Sequence, residues 1–120
     1  MAVTKKQIGN YGENRAVEFL IENGYQILHR NWRTRSGEID IIAIKDNVLV
    51  FVEVKTLPHG NIETLMHVVG KIKQKRIIET SKYFLYKYRQ YNDNYIRYDV
   101  IVVDMPGMNP VCHLENAFSE

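Results

Sequence analysis

The sequence predicts an α/β protein in the order helix, three strands, helix, two strands, and three observations carry that expectation. Apolar residues recur at helical spacing in two segments, Ile- and Val-rich runs of strand length lie between and after them, and turn residues punctuate the chain where the period changes. Apolar residues make up 45% of the 120 and charged residues 25%, the balance of a globular chain with a core to bury and not of a disordered one. That length suits one domain, expected over residues 1–120.

Ala16, Val17, Leu20 and Ile21 follow the three-and-four spacing of an amphipathic helix from roughly Lys6 to Asn23, and Gly24 is placed to stop it in the left-handed conformation. Tyr25 to Asn31 reads as a short strand and Thr34-Arg35-Ser36-Gly37 as a turn. Glu38 to Ile44 and Val48 to Lys55 are strands joined by Asp46-Asn47, a good tight-turn pair, and so form a hairpin. A second helix runs from about Thr64 to Arg89, with Val69, Ile72, Ile77, Tyr83, Phe84 and Tyr88 in one broad stripe. Arg97 to Asp104 reads as a buried strand and Val111 to Leu114 as an edge strand, with Pro106, Gly107 and Pro110 bending the chain between them.

Function classes can be excluded as well. The longest apolar stretches, near Asp40 to Ile44 and Val48 to Val54, are broken by charge well short of the ~20 residues a membrane helix needs. The first residues are polar and lack the apolar core of a signal segment. Cys112 is the one cysteine, which excludes an internal disulfide framework and a Cys-rich zinc site, and a cytoplasmic setting is expected. No Gly-rich phosphate loop is present, and His29, His59, His67 and His113 show no metal-ligand spacing.

The net charge of +2, from 16 basic and 14 acidic residues, names no partner, but its distribution is uneven. Lys71, Lys73, Lys75, Arg76, Lys82, Lys87 and Arg89 are opposed within their segment only by Glu79, and Arg30, Arg33 and Arg35 surround Trp32. Such asymmetry is compatible with a polyanion, although a basic helix face is also commonly just solvated.

Gly37-Glu38-Ile39-Asp40 and Glu53-Val54-Lys55 are the most informative segments. A two-residue turn at Asp46-Asn47 sets Lys45 opposite Val48, and counting outward sets Asp40 opposite Glu53 and Glu38 opposite Lys55. Alternation then projects all four from one face of the hairpin. Facing carboxylates on Ile- and Val-rich strands ask for a compensating cation, and oxygen donors suit Mg²⁺, Mn²⁺ or Ca²⁺ better than zinc. Lys55 could orient or deprotonate a water or neutralise a phosphate, while the plainer alternative is a solvated cross-strand pair with Glu38. Glu13 lies on the apolar stripe of the first helix, either as a site residue or reaching water near the helix start. Lys73 falls within the stripe formed by Val69, Ile77, Thr80 and Phe84, where it either reaches an acidic site or phosphate or covers the apolar edge with its stem; Gln74 beside it could point toward the cleft.

An acid on one strand followed by Glu-x-Lys on its partner resembles the PD-(D/E)-x-K nuclease superfamily. The resemblance extends over nearly the whole chain to the YraN-type family of predicted endonucleases related to archaeal Holliday junction resolvases. It runs from Gly9-Asn10-Tyr11-Gly12-Glu13 through Asn31, Gly37-Glu38-Ile39-Asp40 and Phe51-Val52-Glu53-Val54-Lys55 to Lys73-Gln74, Arg97-Tyr98-Asp99-Val100 and Glu115-Asn116-Ala117-Phe118. The resemblance implies a restriction-endonuclease-like core, a mixed five-stranded sheet flanked by helices. It implies a Mg²⁺ (or Mn²⁺) site of Asp40, Glu53 and the Val54 carbonyl completed by Glu13, with Lys55 positioning the attacking water and Lys73 or Gln74 as the polar position on the following helix. Ile39 precedes Asp40 where the superfamily name implies Pro, and Leu57 stands where a basic residue is more usual.

The expected activity is metal-dependent cleavage of nucleic acid, structured or branched DNA ahead of RNA, and a homodimer would supply paired sites for a junction. The competing reading is a binding module without turnover that uses Arg30, Trp32, Arg33, Arg35, Lys71, Lys73, Lys75 and Arg76 for phosphate contact and stacking. A third is an adaptor whose late-chain tyrosines form a protein interface.

Overall fold

Three nine-residue segments rich in β-formers make the antiparallel half of the sheet: β1 (Gln26–Thr34), β2 (Gly37–Lys45) and β3 (Val48–Thr56), preceded by helix α1 (Lys5–Glu22). Helices α2 (Ile62–Val68) and α3 (Lys71–Lys87), a 3-10 turn at Arg89–Tyr91, and strands β4 (Tyr95–Val103) and β5 (Val111–Phe118) complete the chain. The architecture is that of a computed structural model, which describes residues 2–120 apart from the side chain of Val68.

The sheet order is β1-β2-β3-β4-β5, with β3 and β4 parallel and the other neighbours antiparallel. The parallel pair requires a crossover, which α2 and α3 supply on one face. On that face Ile42, Leu49, Phe51, Val100 and Val102 pack against Ile77, Ile78 and Phe84. On the other, Ile41, Ala43, Val50, Val52, Ile101 and Val103 pack against Ala16 and Leu20 of α1. β3 is thus covered on both faces, and Leu49 through Glu53 and Val54 are buried without a break. This is the mixed five-stranded sheet flanked by helices that the sequence led us to expect, and it is compatible with a restriction-endonuclease-like core.

Local chemistry accounts for the boundaries. Thr4 and Gln7 form a reciprocal capping box at the start of α1, and Gly24 (φ 89°) follows its end in the left-handed region. Asp46 (φ 48°) and Asn47 (φ 67°) make the left-handed two-residue turn that matches strand twist.

Three expectations need correction. The predicted helix from Thr64 to Arg89 is two helices, parted at Val69 and Gly70, because a β-branched residue followed by glycine is a weak place to continue a helix. Ile72 and Tyr83 are exposed, so the buried stripe of α3 is Ile77, Ile78, Thr80, Ser81 and Phe84. The hairpin register is the expected one from Lys45↔Val48 out to Ile41↔Val52, but pairing ends there and Asp40 has no ladder partner in Glu53. Alternation also fails at this point, since Ile39 and Ile42 both join the α3-side core, whereas strict alternation would set them on opposite faces. Beside it on β1, Asn31 is left-handed (φ 53°), a conformation Asn tolerates better than most residues, and Trp32 after it likewise turns to the α3 side. The four hairpin residues therefore converge through a local distortion instead of a regular face.

Candidate active site

The carboxyl end of β3 delivers Glu53, Val54 and Lys55 to an open cleft of about 1260 Å³. Its other walls are the start of α1 (Lys5, Gly9, Glu13), the distorted end of β2 (Glu38, Asp40) and the start of α3 (Lys71, Lys73, Arg76). Sites beyond the carboxyl ends of strands are the usual arrangement in open α/β sheets.

Glu53 is 5% exposed and would be a costly buried charge alone, but Lys73 Nζ lies 2.6 Å and Lys55 Nζ 3.4 Å from its Oε1. Asp40 takes the place of a missing ladder acceptor, with Oδ2 accepting a hydrogen bond from the Val54 N–H at 2.8 Å. Burial, reinforced by the Glu53 carboxylate and by Glu13 and Glu38, pushes Asp40 up to about 7, and the Val54 bond only partly offsets this. Burial and the adjacent Lys73 ammonium hold Lys55 below its ordinary range; burial acts the same way on Lys73, but its bond to Glu53 prevails and raises it. The two lysines thus shift in opposite directions, and Lys73 is the one more firmly paired with Glu53.

α1 brings Glu13 to the cleft because Gly12 allows close approach. A Cβ at position 12 would lie 1.8 Å from Thr56 Oγ1 on β3. Burial raises Glu13, with the nearby Arg30 guanidinium opposing and Glu38 reinforcing it. Asn31 links the two acids: oriented so that its amide nitrogen faces them, it donates to Glu13 Oε1 at 3.1 Å and Glu38 Oε1 at 2.8 Å. Its side-chain role was not foreseen, although an Asn between basic residues and ahead of a turn is a signal for left-handed backbone. Lys5, also unforeseen, adds a cation to the rim.

The other residues singled out from sequence are dispersed. Gln74 does not reach the acids, because its Nε2 donates to the Val69 carbonyl at 2.9 Å and braces the joint between α2 and α3. Lys71 and Arg76 line the cleft, whereas Lys75 is exposed outside it. Arg30 donates to Asn14 Oδ1 at 2.8 Å, Arg33 pairs with Glu38 at 3.4 Å and Arg35 is exposed. Trp32 is no free stacking platform, since it packs edge-on against Phe84 and Tyr88, with Lys87 over its ring. A second polar cluster lies on the α1 side: fully buried Asp99 accepts from Arg97, from the Asn116 N–H at 2.8 Å and pairs with His113 at 2.6 Å. Burial alone would raise Asp99, but His113, Arg97 and Asn116 outweigh it and hold it below the usual range, so this cluster reads as a brace joining β4 to β5.

Among the described residues no three His, Cys, Asp or Glu side chains stand ready as a metal cage. The donor set still suits a hard ion, because Mg²⁺ is ordinarily held by one or two carboxylates together with waters and substrate phosphate. Asp40 and Glu53 supply such a pair on the cleft floor.

Fold and site together define an α/β protein whose central strand carries an acid and a lysine into a cation-rimmed cleft. The profile of the "Uncharacterised protein family UPF0102" matches residues 12–103, and the chain belongs to that family. A UPF0102 protein of Treponema denticola is 44% identical over 94% of this chain and 95% of its own. Another from Treponema pallidum is 46% identical over 96% and 94%, and one from Caldicellulosiruptor saccharolyticus 40% identical over 97% and 100%. Glu13, Asp40, Glu53, Lys55 and Lys73 all fall within the matched span. Among the described residues no helix is long and apolar enough to cross a membrane.

Proposed function

We propose that the protein is a metal-dependent endonuclease of the restriction-endonuclease-like type, acting on structured or branched DNA. The observation that carries this reading is the convergence of Asp40, Glu53 and Lys55 on the floor of a cleft rimmed by Lys5, Lys71, Lys73 and Arg76. Asp40, Glu53 and the Val54 carbonyl would hold Mg²⁺ or Mn²⁺, which would polarise the phosphate and help activate a water. Rim lysines and Arg76 bind the backbone phosphates on either side of the scissile bond. Lys55, beside Glu53 on the cleft floor, would orient the attacking water in line with phosphorus. The new P–O bond forms as the P–O3′ bond breaks, leaving a 5′-phosphate and a 3′-hydroxyl that takes up a proton. Glu13, tied through Asn31 to Glu38, completes the acidic wall.

A binding module without turnover is the second reading, and one observation favours it: two lysines already neutralise Glu53. The two are separated by incubating labelled single-stranded, duplex, flap and four-way-junction DNA, with matching RNA, in Mg²⁺, Mn²⁺ or EDTA, comparing wild type with Lys55→Ala. The nuclease reading expects product only with metal and a loss of at least about a hundredfold in the variant. Tight binding without product on every substrate would favour the module.

A further inference from the structure

We infer that Lys73 is a built-in counter-ion that the metal must displace, so that metal binding at Glu53 and release of the Lys73 ammonium into the cleft are one exchange. The inference rests on the metal site proposed above and goes beyond it by assigning Lys73 a role before substrate arrives. Lys73 projects from the first turn of α3, on the same side as buried Ile77, Thr80 and Phe84, and this aims its stem at the end of β3. Its Nζ sits 2.6 Å from Glu53 Oε1, closer than Lys55 at 3.4 Å, and Glu53 is nearly closed to solvent. A divalent ion on Oε1, the oxygen that both lysines contact, would stand too close to Nζ for two cations in a partly desolvated site. Lys73 also lines the cleft, so the displaced ammonium stays within its walls, available to a phosphate. The pair thus holds the acidic floor together without metal and adds a phosphate contact once metal is bound.

The exchange is tested with Mn²⁺ alone, without nucleic acid, by titration followed by electron paramagnetic resonance on the full chain. Lys73→Met is expected to bind Mn²⁺ about tenfold more tightly than wild type, the equivalent of losing one charge-assisted bond. Lys73→Gln, which keeps a donor for Glu53 and so protects folding, is expected to shift affinity in the same direction, and Lys73→Arg to stay within about twofold of wild type. Lys71→Met is the control for a general loss of positive charge, because Lys71 lines the cleft without contacting Glu53. The increase in melting temperature given by a fixed Mn²⁺ concentration is expected to be larger in Lys73→Met than in wild type. Unchanged or weaker binding in Lys73→Met and Lys73→Gln, with wild type still binding, would overturn the exchange and leave the metal site standing. Equal tightening in Lys71→Met would overturn it too, by showing a field effect. Absence of Mn²⁺ binding in every variant and in wild type would remove the metal site and the inference together.

Discussion

Asp40 concentrates the chemistry of this protein at the scale of one residue. It is an acid at the point where β2 parts from β3, bonded to the Val54 N–H and surrounded by other carboxylates. Burial and the neighbouring carboxylates push it from its ordinary value of 3.8 up to about 7. Between those values the unfolded chain has released the proton while the folded chain retains it. The stability Asp40 contributes is therefore full below pH 3.8 and is withdrawn as pH rises through about 7. Asp40→Asn should remove that slope and stabilise the metal-free protein at pH 8 by on the order of 2 kcal/mol, read from urea unfolding in EDTA at pH 5 and pH 8. Identical pH slopes in variant and wild type would show that Asp40 is ionised throughout.

At the scale of elements, the approach of α1 to β3 decides whether Glu13 reaches the cleft. Alanine is the better helix former, yet a Cβ at position 12 would meet Thr56 Oγ1 at 1.8 Å and Thr56 Cβ at 3.2 Å. Gly12→Ala is expected to destabilise by roughly 1–3 kcal/mol through overpacking. Thr56→Ala in the same chain should recover most of that loss, so a double-mutant cycle by chemical denaturation should give a favourable coupling; simple additivity would contradict the contact. The hairpin itself was legible, because Ile- and Val-rich runs around Asp46-Asn47 leave little choice of register. The end of its ladder was not, because counting outward assumes unbroken alternation, and alternation breaks between Ile39 and Ile42, beside the left-handed Asn31 of β1. Likewise the apolar spacing across Val69 and Gly70 reads as one helix, while local propensity and the Gln74 bond to Val69 part it into two.

Over the whole molecule, the mid-chain concentration of basic residues becomes a feature of shape. α1 and α3 lie on opposite faces of the sheet, and their starts meet at the carboxyl end of β3, where Lys5, Lys71, Lys73 and Arg76 ring Asp40 and Glu53. Charge pattern suggested the rim but could not say which cations face it: Lys71 and Arg76 do, Lys75 does not, and Arg33 is paired with Glu38. The carboxylates and Lys55 were legible because acids on apolar strands conflict with burial, and the same conflict at Asp99 is resolved in a structural brace instead. A buried acid in a strand thus marks a place that needs a cation or donors, and the cleft separates the two outcomes. The most direct measurement is the single-turnover rate on a labelled four-way junction in Mg²⁺ for wild type and Glu53→Gln, matched for folding by circular dichroism. The account predicts metal-dependent product with 5′-phosphate ends in wild type and a loss of at least about a hundredfold in the variant. Equal rates in the two proteins, or product that persists in EDTA, would contradict it.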